Sequence, residues 1–353
     1  MNLDNYSSFS EIDTQDMLSQ IEGLPQQLQT AWNLGLQQEL PAQKEYRQIL
    51  IAGMGGSAIG ADLLAAFADS SSNIPIFVLR DYNLPAWARG PETLVIASSH
   101  SGNTEETLSA FETALSRQCT CLAVSTGGKL AEMADIADVP LWRFEHKGQP
   151  RAAVGYSFGL LLALLARLHY IPDPENDLEE TIDVMHKQQT TIQPQNSVVE
   201  NPAKRMAGQM AERWVVMIGS GIMAPVARRW KGQMSEIAKS WAQFEYLPEA
   251  NHNTLAGILN PEDLLTQTMV LFLRCPNDQP RNALRIDLTR KTFMLEGLGT
   301  DFVDARGESP LANLWSCLHL GDYVAYYLAM IYGVDPTPVD AIEDFKKELR
   351  AAR

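Results

Sequence analysis

The sequence predicts an α/β protein built from two subdomains, each a parallel sheet flanked by helices. Three observations carry this. Short apolar runs of strand length alternate with stretches of helical spacing through the first half. The alternation recurs in the second half, after a polar break. Glycine- and hydroxyl-rich turns follow the strands, at the carboxyl edge where open parallel sheets bind ligands.

In chain order, residues 1–46 read as a helical arm, with Met17, Ile21, Leu24 and Leu28 at near-helical spacing. Gln48 to Met54 reads as a buried strand running into Gly53-Met54-Gly55-Gly56-Ser57-Ala58-Ile59-Gly60, then a helix to about Phe67. Strands are expected at Ile74 to Arg80, Leu94 to Ala97, Thr120 to Val124 and Val139 to Phe144, with helices after Asn103 and near Leu130 to Ile136. Tyr156 to Tyr170 should be a buried helix. Two prolines and several acids break the chain between Ile171 and Asp177, and a polar helix from about Leu178 to Ile192 leads into the second unit. There Trp214 to Ile218 is a strand, Gly219-Ser220-Gly221 a turn, and a helix runs on to about Trp241. Thr268 to Arg274 and Asp301 to Asp304 are further strands, with helices at Arg281 to Leu298, Leu311 to Tyr332 and Ala341 to Arg350. The expected division is residues 1–170, a linker helix at 171–195, and residues 196–353.

The most informative stretch is Ser98-Ser99-His100-Ser101-Gly102-Asn103-Thr104. Gly102 can take the backbone shape a strand-to-helix turn needs. The turn then exposes unpaired N–H groups at a helix start, where an anion is favoured. Ser99, Ser101 and Thr104 add hydroxyls to the same spot. Capping the helix would take only one hydroxyl, so several around a glycine point to a phosphate-binding turn. The second half lacks the Ser-x-Ser-Gly-x-Thr pattern, so one phosphate site per chain is expected.

The formal net charge of −15 argues against a nucleic-acid partner. Local donors can still override that field for a small anion. The four cysteines, Cys119, Cys121, Cys275 and Cys317, show neither metal-ligand nor disulfide-framework spacing, and the six histidines do not cluster with carboxylates at ligand spacing. No metal or cofactor is therefore expected, and the thiols should be reduced and buried in a cytoplasmic protein. The first twenty residues are polar and acidic, unlike a signal peptide. The most apolar run, Phe158 to Ala166, is too short to span a bilayer.

Gly-Met-Gly-Gly-Ser-Ala followed by Ser-His-Ser-Gly-Asn-Thr-Glu-Glu-Thr resembles the phosphosugar-binding SIS fold. Gln149-Pro150-Arg151, Met234-Ser235-Glu236-Ile237-Ala238-Lys239, Pro248-Glu249-Ala250-Asn251-His252-Asn253 and Val334-Asp335-Pro336-Thr337-Pro338-Val339 narrow it. Together they resemble the bifunctional phosphoglucose/phosphomannose isomerases, over about Ile49 to Lys347. The resemblance implies an aldose–ketose isomerase for glucose 6-phosphate and mannose 6-phosphate, working through an enediol. It implies that Gly55, Gly56, Ser57, Ser99, Ser101 and Thr104 hold the substrate and its phosphate. It implies that Arg151 stabilises the enediolate, Glu236 transfers the proton, and His252 and Lys346 serve ring opening, with Lys347 as the rival lysine. It further implies a homodimer in which His252 is donated across the interface. His100 departs from the tyrosine expected in that turn.

Each residue also has a plainer reading. Arg151 could pair with a surface acid, Glu236 could face solvent from mid-helix, and His252 and Lys346 could lie on solvated surface. Two other functions compete. Gly53-x-Gly55-x-x-Ala58, with Asp81 after the next strand, fits a relaxed dinucleotide fingerprint and would suit an oxidoreductase. A non-catalytic phosphosugar sensor on the same fold is the other, though no basic helix-turn-helix segment accompanies it. An amidotransferase-type isomerase half would call for an attached glutaminase domain with an N-terminal cysteine, which is not expected here.

Overall fold

The computed structural model describes residues 2–42 and 45–352. Short helices α1 (Met17–Glu22) and α2 (Leu24–Gln37) lead into β1 (Gln48–Ala52), α3 (Gly55–Ala68), β2 (Ile76–Leu79) and β3 (Thr93–Ser99). Then come α4 (Glu105–Ser116), β4 (Thr120–Ser125), α5 (Gly128–Ile136), β5 (Leu141–Arg143) and α6 (Val154–Arg167). Helices α7 (Glu175–Ile192) and α8 (Pro202–Met210) precede β6 (Trp214–Ser220), α9 (Met223–Glu236), β7 (Ala242–Leu247) and α10 (Glu262–Thr266). The chain closes with β8 (Thr268–Arg274), α11 (Pro280–Leu295), β9 (Gly299–Asp304), α12 (Pro310–Tyr332) and α13 (Asp340–Ala351).

The strands form two parallel sheets, ordered β2-β1-β3-β4-β5 and β7-β6-β8-β9. Every residue of β3 is buried, which suits its β-branched and apolar run between two helical layers. In the first sheet the chain leaves β1 in one direction to make β2 and crosses β1 to make β3. The reversal opens a crevice between the carboxyl ends of β1 and β3, and both predicted ligand turns fall there. The second sheet reverses likewise between β6 and β8. Helix α12 lies in the core, with Trp315, Tyr323, Tyr326 and Tyr327 buried. Large apolar side chains each contribute about 1.5–3 kcal/mol on burial, so α12 belongs inside although it shows little amphipathy. Among the described residues no helix is long and apolar enough to cross a membrane.

The differences from expectation are local. Residues 38–42, 45 and 46 are not helical, and Gln43 and Lys44 lie outside the described residues. Helix α9 stops at Glu236 instead of running to Trp241, because β7 begins at Ala242. That strand, Ala-Gln-Phe-Glu-Tyr-Leu, escapes the sequence pattern because it is an edge strand with only its two ends buried. All four cysteines are free thiols, but Cys119, just before β4, is only partly buried, whereas Cys121, Cys275 and Cys317 are buried as expected.

Candidate functional site

The two ligand turns meet through the backbone. Gly55 opens α3 with φ +51. A side chain on Gly56 would overlap the Pro150 carbonyl and stand 3.1 Å from the Arg151 nitrogen, so only glycine lets α3 lie under the turn that carries Arg151. Ser57, buried in the first turn of α3, accepts the His100 N–H at 3.3 Å. Neither Met54 before α3 nor Thr104 before α4 caps its helix with a side chain, and in α3 the Ser57 and Ala58 N–H groups donate to the Met54 carbonyl.

The hydroxyl turn is built as the sequence suggests. Gly102 takes φ +64, and a Cβ there would overlap the Gly127 carbonyl. Ser99 Oγ and Thr104 Oγ1 lie 2.9 Å apart across the turn. Ser101 is exposed, and its Oγ accepts the Asn103 N–H at 3.2 Å. Glu105 and Glu106 occupy the first turn of α4, a negative charge that the converging donors must outweigh for a phosphate to settle.

Arg151 sits in a 3₁₀ turn, Pro150–Ala152, and is only 3% exposed. Its Nη1 stands 3.6 Å from Glu236 Oε2, and its Nη2 donates to the carbonyls of Pro336, at 2.9 Å, and Thr337. Its Nε is buried without a hydrogen-bond partner among the described residues. Burial lowers the guanidinium pKa, an effect opposed by Glu236 and reinforced by Arg229. Behind it, Arg229 of α9 donates to the Arg151 carbonyl at 2.7 Å and pairs with Asp322 of α12 at 2.7 Å, both buried. Helix α9 therefore anchors the Arg151 backbone from its middle and presents Glu236 at its C-terminal end. Glu236 ends that helix, and about a third of its side chain is exposed.

The remaining two residues, His252 and Lys346, sit on exposed segments. His252 follows a 3₁₀ turn, Glu249–Asn251, and is exposed. Its loop is tied to α11 through Asn251, which meets Thr289 and Arg285. Among the described residues its ring makes no hydrogen bond and no ion pair with Arg151, Glu236 or Ser101. Lys346 lies on α13, which has no buried residue, and neighbouring Lys347 pairs with Asp344 at 2.9 Å. One chain thus brings Gly55, Gly56, Ser57, Ser99, Ser101, Thr104, Arg151 and Glu236 into a connected region, with which His252 and Lys346 share no hydrogen bond or ion pair among the described residues.

Lys239 was not anticipated. Its Nζ donates to the Glu236 carbonyl at 2.6 Å and lies 3.4 Å from the Pro336 carbonyl. Burial of the ammonium, with the Arg151 charge second, draws its pKa down to about 8. The signal was available in Glu-Ile-Ala-Lys, which places the lysine three residues past the carboxylate; its left-handed backbone, φ 54, was not.

In the second sheet the turn after β6 is closed to an anion. Asp278 accepts the Ser220 hydroxyl at 2.9 Å, so a carboxylate stands at the helix start. A hollow of about 980 Å³ lies between the subdomains, walled by the ion pairs of Asp62 with Arg80 and Arg228, but none of the predicted site residues lines it. No group of three or more metal-ligating side chains occurs among the described residues.

Residues 199–349 match the family model described as the bacterial phospho-glucose isomerase C-terminal SIS domain. The chain is 38% identical over 335 residues to a bifunctional phosphoglucose/phosphomannose isomerase of Caldicellulosiruptor bescii, spanning 94% of this chain and 98% of that one. It is 34% identical over 307 residues to the protein of the same name from Aquifex aeolicus, spanning 86% and 91%. Among solved structures, a hypothetical protein from Thermus thermophilus superposes with a TM-score of 0.73 at 16% identity, over 95% of this chain and 90% of that one.

Proposed function

The chain belongs to the bifunctional phosphoglucose/phosphomannose isomerase family, and we propose that it interconverts glucose 6-phosphate and mannose 6-phosphate with fructose 6-phosphate. Family membership sets aside the dinucleotide oxidoreductase and the non-catalytic sensor. The observation that carries the chemistry is the approach of Arg151 to Glu236 at 3.6 Å, with guanidinium donors left over.

The substrate phosphate would lie on the starts of α3 and α4, held by N–H groups and by Ser57, Ser99, Ser101 and Thr104. With the sugar in open-chain form, the Glu236 carboxylate takes the C2 proton. The C–H electrons form the C1–C2 double bond, and the carbonyl electrons move onto O1. Arg151 offsets that developing charge. The carboxylic acid then returns the proton to C1 while the O2 proton passes to O1, giving the ketose with no net change in redox state. His252 and Lys346 would serve ring opening. Of the two tail lysines, Lys346 is the better placed to act because Asp344 engages Lys347.

The working unit is proposed to be a homodimer with His252 supplied by the partner. Glu236 is partly exposed, and Ser101 is exposed, so one chain leaves the site open to water. Two apolar stripes also face outward, Leu284, Leu288 and Leu295 on α11 and Ile342, Phe345 and Leu349 on α13. The division at residues 1–170, 171–195 and 196–353 is retained as a proposal; it assigns one sheet to each unit.

The test is formation of fructose 6-phosphate by the purified protein, from glucose 6-phosphate and separately from mannose 6-phosphate. Turnover of both is expected, and turnover of neither would overturn the reading.

A further inference from the structure

His100 lies inside the hydroxyl turn and His146 in the loop before Arg151, and their rings meet. His100 Nε2 is 3.0 Å from His146 Nδ1. The Gly148 N–H donates to the same His146 Nδ1 at 3.2 Å. A backbone N–H cannot accept, so His146 Nδ1 must carry the lone pair. His100 Nε2 must then carry the proton that completes the contact. One backbone amide thereby fixes the tautomer of both rings. Burial and the facing imidazole hold His100 at a pKa of about 4, and burial lowers His146, so both rings are neutral at neutral pH.

Other contacts hold each end. The His100 ring packs edge-on against Phe144, which stacks on Tyr156, and Tyr156 meets His146 edge-on. The His100 carbonyl accepts the Thr126 hydroxyl at 2.7 Å, and its N–H reaches Ser57. From His146 the chain runs Lys147-Gly148-Gln149-Pro150 directly into Arg151.

We propose that the His100–His146 hydrogen bond is a positioning strut that sets the distance between the phosphate turn and the Arg151 turn. It rests on the reading of Arg151 and Glu236 as the reacting groups, and neither histidine is assigned a part in proton transfer. A phosphate gripped at one end and a charge stabilised at the other need a fixed separation. Small misplacements of reacting groups can cost about 10²-fold in rate. The strut therefore supports turnover more than phosphate affinity, since Ser57, Ser99 and Thr104 keep their own contacts.

The experiment compares His146→Leu, which removes the acceptor, with His146→Asn, whose Oδ1 can take the place of Nδ1. In His146→Leu, kcat is expected to fall about 10- to 100-fold, while calorimetric affinity for 6-phosphogluconate changes by less than about threefold. In His146→Asn, kcat should return to within about threefold of the native protein. Native kcat in His146→Leu, or equal losses in both variants, would overturn the strut. If His146→Leu does not fold, the pair His100→Leu and His100→Gln decides in the same way, with Gln Nε2 as the retained donor. Nitrogen-15 histidine spectra of the native protein read the contact without any activity assay: both rings should be Nε2–H tautomers. An Nδ1–H form of His146 would overturn the strut even in an active isomerase. A native protein that shows both tautomers but isomerises no hexose phosphate would overturn the reaction and leave the contact standing.

Discussion

Arg151 Nη1 faces Glu236 Oε2 at 3.6 Å, longer than a hydrogen bond, from a guanidinium that is nearly fully buried. The Arg151 side chain is held by the Pro336 and Thr337 carbonyls and its backbone by Arg229, so neither is free to close the gap. A pair serving stability alone would be expected to close up to form charge-assisted hydrogen bonds. Here the carboxylate keeps its second face open to a substrate, and the guanidinium keeps unspent donors.

Glu236→Gln keeps the shape of the carboxylate and removes its basicity. General-base catalysis is worth about 10²–10⁴-fold, so kcat should fall by at least that much. Binding of 6-phosphogluconate, followed by calorimetry, should persist because the phosphate turns are untouched. A Gln variant with near-native kcat would remove Glu236 from the mechanism.

The phosphate turn predicts a different kinetic signature. Ser101→Ala with Thr104→Ala removes two hydroxyls, and Ser99 Oγ loses its contact at 2.9 Å. Hydrogen bonds to charged groups are worth about 1.5–3 kcal/mol, so KM for glucose 6-phosphate should rise at least about tenfold. Steady-state saturation curves check this, and an unchanged KM would place the phosphate elsewhere.

Lys239 links the site to pH. Its folded pKa is drawn down to about 8, first by burial and then by Arg151. Unfolded, a lysine titrates near its usual value of about 10.4. Between those values the unfolded chain holds the extra proton, so this residue makes the folded state gain stability as pH rises. Urea unfolding of the native protein and of Lys239→Met at pH 7, 8, 9 and 10 should show the native protein gaining on the variant above about pH 8. A difference independent of pH would count against the depressed ammonium.

The legible parts of the sequence were those governed by local pattern. Apolar runs gave the buried strands, and Gly102 among hydroxyls gave the turn, because each depends on its neighbours in sequence. Arg151 and Glu236 were legible mainly through the family resemblance, since their meeting depends on how α9 packs beside α3 and α12. Arg229, Asp322 and Lys239 act through groups up to 97 residues away, Lys239 with Pro336 being the longest reach of the three, and left no periodic trace. His100 drew notice as a departure from tyrosine, but its partner lies 46 residues on, beyond any local reading.

The position of His252 makes the sharpest prediction about assembly. In one chain its loop is fixed to α11, and its ring has no contact with Arg151 or Glu236 among the described residues. If the partner supplies this ring, each site holds Glu236 from one subunit and His252 from the other. Glu236→Gln and His252→Gln homodimers would each carry one defect in both sites and be strongly impaired. A mixed dimer would place both substitutions in one site and leave the other site native. Mild denaturation and refolding of the two inactive variants together should therefore restore activity, while each refolded alone should not. If His252 instead served the site of its own chain, every site in the mixed dimer would carry one defect, and mixing would restore nothing. Sedimentation of the mixture checks that hybrids have formed, so a mixture that is dimeric, exchanged and inactive would refute the shared site.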